Sequence, residues 1–145
     1  MKTALVSFAT LVAAFFWLVP PSTLAALYAP PAVAGGRIEA SSIVRAQFTS
    51  AIKDREPTDS LAEAGADKKA LYFFMELKGA SGTIITHRWE LGGKVEHEQT
   101  FQVSGDRWRG WTSKSMSARS TGEWKVTVLD GSGATLGTYT LVYGK

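Results

Sequence analysis

The sequence predicts an all-β domain, an immunoglobulin- or fibronectin-like β-sandwich of about seven strands, on three observations. From Ser42 onward, short segments with alternating apolar residues are separated by Gly, Asp and Ser punctuation. Seven such segments fit within roughly 100 residues, the strand density of a sandwich. Only Leu61 to Lys69 has helical composition, and Gly65 limits it to a turn or two of helix. The 145-residue chain has no Cys, so an antibody-type bridge between sheets is excluded and the core must hold by packing.

In chain order, the first element is not a strand. Lys2 is the only charged side chain before Arg37, and Ala4 to Val19 is an apolar run broken only by Ser7 and Thr10. A positive start and an apolar stretch are the pattern of a secretory signal peptide. Small residues at Thr23-Leu24-Ala25 and Ala32-Val33-Ala34 offer cleavage sites; uncut, the run becomes a membrane anchor with Pro20 to Pro31 as a semi-rigid stalk. The expected organisation is residues 1–34 as signal peptide or anchor and residues 35–145 as the β-sandwich. A periplasmic location follows as an expectation, or an inner-membrane anchor facing the periplasm, with membrane contact only through residues 4–19 if uncleaved.

The predicted strands are Ile43 to Ile52, Leu71 to Leu77, Thr83 to Leu91, Val95 to Val103, Arg107 to Lys114, Trp124 to Asp130 and Leu136 to Tyr143. Val44, Ala46, Phe48 and Ile52 share one face of the first. Leu71, Phe73, Met75 and Leu77 share a face of the second, and Trp124, Val126 and Val128 share one of the sixth. The hairpin around Gly92-Gly93 has two candidate registers. A two-residue loop sets Leu91 opposite Lys94 and places apolar faces against polar ones. A three-residue loop keeps odd residues with odd. It puts Ile85, His87, Trp89 and Leu91 beside Val95, His97, Phe101 and Val103, with Arg88 near Glu96 and Glu98 and Glu90 near Lys94. One slipped residue exchanges the faces of every side chain, so the even register is predicted.

Charge and motif content exclude several functions. The formal net charge is +3, and no Lys/Arg run exceeds Lys68-Lys69, so the footprint of a nucleic-acid binder is missing. There is no Gly-x-Ser-x-Gly elbow and no phosphate loop, and the serines near Lys114 (Ser113, Ser115) form no Ser-x-x-Lys motif. Glu96 and Glu98 share a face in the predicted register, where Arg88 accounts for them as an ion-pair cluster. His87 and His97, the only histidines, fall on one face of the hairpin. Two imidazoles are half a metal site, and the third ligand is missing. No catalytic residue, metal or cofactor is assigned.

The most unusual segment is Arg107-Trp108-Arg109-Gly110-Trp111-Thr112-Ser113-Lys114. Two indoles among three cations predict cation–π stacking, either as a brace on the sandwich surface or as a binding platform. Asp54-Arg55-Glu56-Pro57 reads as a strand exit: Pro57 forces Glu56 to extend, Asp54 supplies an Asx-type turn, and Arg55 ties the loop to a carboxylate elsewhere.

These motifs resemble a bacterial family named domain of unknown function 2914. Phe48-Thr49 with Asp54-Arg55-Glu56-Pro57, His87-Arg88-Trp89, Trp108-Arg109-Gly110-Trp111-Thr112-Ser113-Lys114 and Gly122-Glu123-Trp124 stand in the family's order, over about Ser42 to Tyr143. The resemblance implies a β-domain behind a signal or membrane segment and no assigned activity. The expected function is a non-enzymatic binding domain of the cell envelope. Its expected contact residues are Trp108, Arg109, Trp111 and Lys114, with Arg88 and Trp89 beside them, engaging a protein partner or an envelope polymer. The alternatives are a metal protein or enzyme centred on His87 and His97, and an accessory in the assembly of a membrane complex that pairs through exposed strand edges.

Overall fold

Alternation of apolar residues in the second predicted strand becomes β5, Ala70–Lys78, the middle of a three-stranded sheet in the computed structural model, which describes residues 38–145. β1 (Ile43–Thr49) and β8 (Arg107–Ser115) pair antiparallel on either side of it. The second sheet has the order β4-β10-β9-β6-β7. Its long strands are β6 (Ile84–Leu91), β7 (Lys94–Gln102), β9 (Gly122–Asp130) and β10 (Thr135–Tyr143). β2 (Ile52–Lys53) and β3 (Glu56–Pro57) form a small hairpin, and β4 (Glu63–Ala64) pairs parallel to β10. The described residues contain no α-helix; 3-10 turns occupy Ala40–Ser42 and Ala118–Ser120. The predicted signal or anchor segment lies outside the described residues. Among the described residues no helix is long and apolar enough to cross a membrane.

The two larger sheets bury their facing sides against each other. Leu71, Phe73, Met75 and Leu77 are fully buried, as the alternation predicts, and so are Trp124, Val126 and Val128. The layers meet through aromatic edges: Phe48 on Trp89 with ring centroids 5.6 Å apart, Phe73 on His87 at 5.1 Å, and Phe73 on Tyr139 at 5.1 Å. Each large side chain buried this way contributes about 1.5–3 kcal/mol. The indole N–H of Trp89 donates to Thr112 Oγ1 at 2.8 Å, joining β6 to β8 across the core. No disulfide is required.

The predicted register holds over most of the β6–β7 hairpin by a different device from the expected loop. Leu91 faces Lys94 and Glu90 faces Val95, the two-residue register, and Gly92 and Gly93 take the positive φ values (56° and 85°) of a type I′ turn. A bulge follows. Trp89 faces His97, and the pairs from there to Ile84↔Gln102 are in the even register, with Glu96 as the extra residue. The bulge leaves Val95, expected inside, 47% exposed. It also redistributes the charges: Arg88 pairs with Glu98, while Lys94 takes Glu96 and Glu90 takes Lys125.

Three other expectations are corrected. Leu61 to Lys69 forms no helix, because its backbone finds strand partners instead. The Leu61 N–H donates to Phe48, Glu63–Ala64 lies along Val142–Tyr143, and the Tyr143 hydroxyl donates to the Lys68 carbonyl at 2.9 Å. A helix of one or two turns cannot compete, since its nucleus is costly. A register shift between Ile43 and Arg45 turns Val44 outward, 56% exposed, off the face of Phe48. The first predicted strand ends at Thr49, and Ile52 belongs to the separate small hairpin.

Candidate functional site

The outer side of the three-stranded sheet is organised by Glu76, a charge that the alternation of β5 places opposite the core face. It is only 2% exposed and takes three guanidinium groups. Arg45 Nη2 donates to it at 3.0 Å, Arg107 Nε donates to its other oxygen, and Arg109 Nε stands 3.6 Å away. Burial opposes ionisation of Glu76, but the hydrogen bonds from Arg107 and Arg45 hold its carboxyl below the usual carboxylate range. Glu56 on β3 bridges Arg45 (2.6 Å) and Arg109 (2.7 Å), which fastens the small hairpin onto the sheet. Arg45 also lies 4.8 Å over the ring of Phe74, a residue buried on this outer side.

The small hairpin departs from the expected Asx turn. Asp54 and Arg55 are its two central residues, with φ of 51° and 63°, a left-handed pair that normally selects Asn-Gly or Gly-Gly. For side chains other than glycine each such position costs about 1–2 kcal/mol. The carboxylate that secures the base of the loop is Asp59, which accepts from Ser50 N and Thr49 Oγ1, each at 2.7 Å. Burial acts against its charge, yet the Ser50 and Thr49 hydrogen bonds keep its carboxyl below the usual value. The carboxylate tie expected of Arg55 is made by Glu56 instead, and Arg55 has no carboxylate partner among the described residues.

The Trp/Arg segment forms β8, an edge strand whose side chains divide between two faces. Its arginines pair with Glu76 and Glu56, and the cation–π contacts run elsewhere than predicted, from Arg45 to Phe74 and from Lys114 to Trp124 at 5.9 Å. Trp108 turns toward β7 and meets Phe101 edge-on at 5.4 Å. Its ring lies across Gly110: a Cβ there would sit 2.1 Å from the indole. Only glycine permits that approach. Around this edge Arg55, Phe101, Trp108, Arg109, Gly110 and Trp111 line a cleft of about 250 Å³.

The sequence-predicted contact residues thus separate. Trp108, Arg109 and Trp111 come together in the cleft. Lys114 reaches the other way, donating to the Glu96 carbonyl at 3.3 Å and linking the β7 and β8 edges. Arg88 sits with Glu98 on the far sheet, and Trp89 is wholly buried, so its indole is a core anchor. Arg55 and Phe101 complete the cleft and were legible only as a loop cation and a strand hydrophobe.

The two histidines occupy different environments. His87 is fully buried between Phe73 and Phe101, and burial lowers its pKa to about 3, so the ring is neutral. Thr112 Oγ1 accepts from Trp89, which leaves its own proton for His87 Nδ1, 3.3 Å away; this network assigns the ring proton to Nε2, which has no hydrogen-bond partner. His97 lies opposite Trp89 and half-exposed, while Gln99 lies opposite His87. Among the described residues no three His, Cys, Asp or Glu side chains gather where a metal could be held.

Residues 82–140 match the family described as "Protein of unknown function (DUF2914)". This stretch is similar to DUF2914. The matched stretch contains β6 to β9 and most of β10, with Phe101, Trp108, Arg109, Gly110 and Trp111 of the cleft. Arg55, Glu56 and Glu76 precede it, as do the Phe48-Thr49 and Asp54 to Pro57 motifs. No curated protein matches the chain.

Proposed function

We propose that this protein is a non-enzymatic binding domain of the bacterial cell envelope that holds its partner in the cleft on the β8 edge. The observation that carries this reading is the convergence of Trp108, Trp111, Phe101, Arg109 and Arg55 on one concave surface. Trp and Arg are the side chains most enriched in binding hot spots, and aromatic rings beside guanidinium groups suit an anionic partner with an apolar face. The apolar run Ala4 to Val19 behind Lys2 supports export or anchoring. The partner class is a protein or an envelope polymer.

An immunoglobulin- or fibronectin-like architecture is part of the proposal. With the seven long strands lettered A, B, C, C′, E, F and G, the sheets read A-B-E and G-F-C-C′, the division that such sandwiches use. Trp89 is then the buried Trp of strand C. It packs 6.0 Å from Trp124 on strand F, where an antibody domain would place a disulfide cysteine.

Trp111→Ala in the full-length chain tests the binding role. The circular dichroism spectrum and melting temperature stay those of the wild type, while retention on isolated envelope polymer or on the partner falls. Unfolding of the variant, or unchanged retention, makes Trp111 a structural brace and removes the proposal.

A further inference from the structure

Building on that binding role, we infer that the cleft takes an acidic sugar unit, a pyranose ring bearing a carboxylate, and that Arg55 is the residue that meets the carboxylate. Charge is the first observation. Of the two guanidinium groups in the cleft wall, Arg109 is already held by Glu56 at 2.7 Å. Arg55 is exposed and has no acceptor among the described residues. Next to it, Arg45, Arg107 and Arg109 share two carboxylates, Glu56 and Glu76, so positive charge is in surplus there. A carboxylate complements that surplus, and guanidinium offers it two parallel N–H donors.

Backbone conformation is the second. Arg55 holds φ of 63° where the turn favours glycine. Strain of this kind collects at binding sites, where the side chain matters more than the ease of the turn. Folding alone is better served by glycine at this position.

Shape is the third, and it separates a sugar from an acidic peptide. A peptide adding to an edge strand needs free backbone groups, but Gly110, midway along β8, is buried, and Lys114 near its end ties this edge to the Glu96 carbonyl of β7. What the cleft presents instead is the apolar surface of Phe101, Trp108 and Trp111, against which the C–H face of a pyranose ring packs. The volume, about 250 Å³, lies below the roughly 300 Å³ at which sites for drug-sized ligands begin. One ring with its substituent fits that size.

Titration of the full-length chain with trigalacturonate, followed by tryptophan fluorescence and calorimetry, tests the inference; maltotriose and hexaglutamate are the comparison ligands. Trigalacturonate is expected to give a saturable signal, with maltotriose weaker by about tenfold or more. Arg55→Gly is expected to lose about tenfold in affinity while its melting temperature holds or rises, because glycine relaxes the turn. A residue with a merely structural role would move the melting temperature the other way. No saturable signal from trigalacturonate, or an Arg55→Gly variant that binds it as the wild type does, overturns the inference. Tighter binding of hexaglutamate overturns the sugar assignment and leaves the binding cleft standing. The cleft itself falls only if Trp111→Ala unfolds or retains its partner.

Discussion

Acidification is expected to destabilise this protein well before its carboxylates titrate, through His87. The ring is fully buried, touches Phe73 and Phe101 edge-on, and has one polar neighbour, the Thr112 hydroxyl. Burial lowers its pKa from 6.5 to about 3 in the folded chain. Protons therefore bind the unfolded chain first, so stability is fully present above pH 6.5 and is lost as pH falls from there toward 3. The slope is about 1.4 kcal/mol per pH unit over that window. Between pH 7.5 and 5.0 the unfolding free energy falls by about 2 kcal/mol from this group alone. Stopping at pH 5.0 keeps Glu76 and Asp59, whose carboxyls stay ionised to lower pH in the fold, out of the measurement. Urea unfolding of the full-length chain at both pH values reads the loss. His87→Gln and His87→Phe, which cannot take up a proton in this range, are expected to lose less than about 0.5 kcal/mol over the same interval. A wild type equally stable at both pH values, or variants as acid-sensitive as the wild type, would refute this account of the core.

Two further substitutions probe the elements around the cleft. Glu76→Gln leaves Arg45, Arg107 and Arg109 facing a neutral amide. The expected loss is about 2 kcal/mol by chemical denaturation, below the 3–5 kcal/mol of a fully buried pair because Arg107 and Arg45 reach solvent. Part of that difference between variant and wild type disappears as pH falls below about 4.5, where the wild-type carboxyl loses its charge advantage. Gly110→Ala puts a methyl 2.1 Å from the Trp108 ring and is expected to displace the indole from Phe101. The cost is about 1–3 kcal/mol, and a shift in tryptophan emission toward a solvated indole reports the displacement.

The candidate site was partly legible before the fold. Trp108, Arg109 and Trp111 stand out by composition, and strand spacing was enough to place them on one element. Sequence could not tell that Trp89, in an equally aromatic motif, is wholly interior, or that Lys114 turns toward Trp124, because burial depends on which sheet covers the strand. Nor could it show that Arg55 joins the cleft. That placement requires the small hairpin to fold back over the sheet, drawn there by Glu56 pairing with Arg45 and Arg109, partners that are 11 and 53 positions away.

What the sequence determined by itself is the set of long strands and their inner faces. A strand's side chains alternate with a period of two, so Leu71-Phe73-Met75-Leu77 and Trp124-Val126-Val128 announce their buried sides without reference to any partner. The tertiary structure decided everything that depends on a neighbour: the Glu96 bulge that reconciles a Gly-Gly turn with the even register, the strand fate of Glu63–Ala64, and the enclosure of Glu76 by three arginines. Backbone donors, buried carboxylates and aromatic edges each require a complement. The residue that supplies it is fixed by which strands lie side by side, and that is a property of the folded chain.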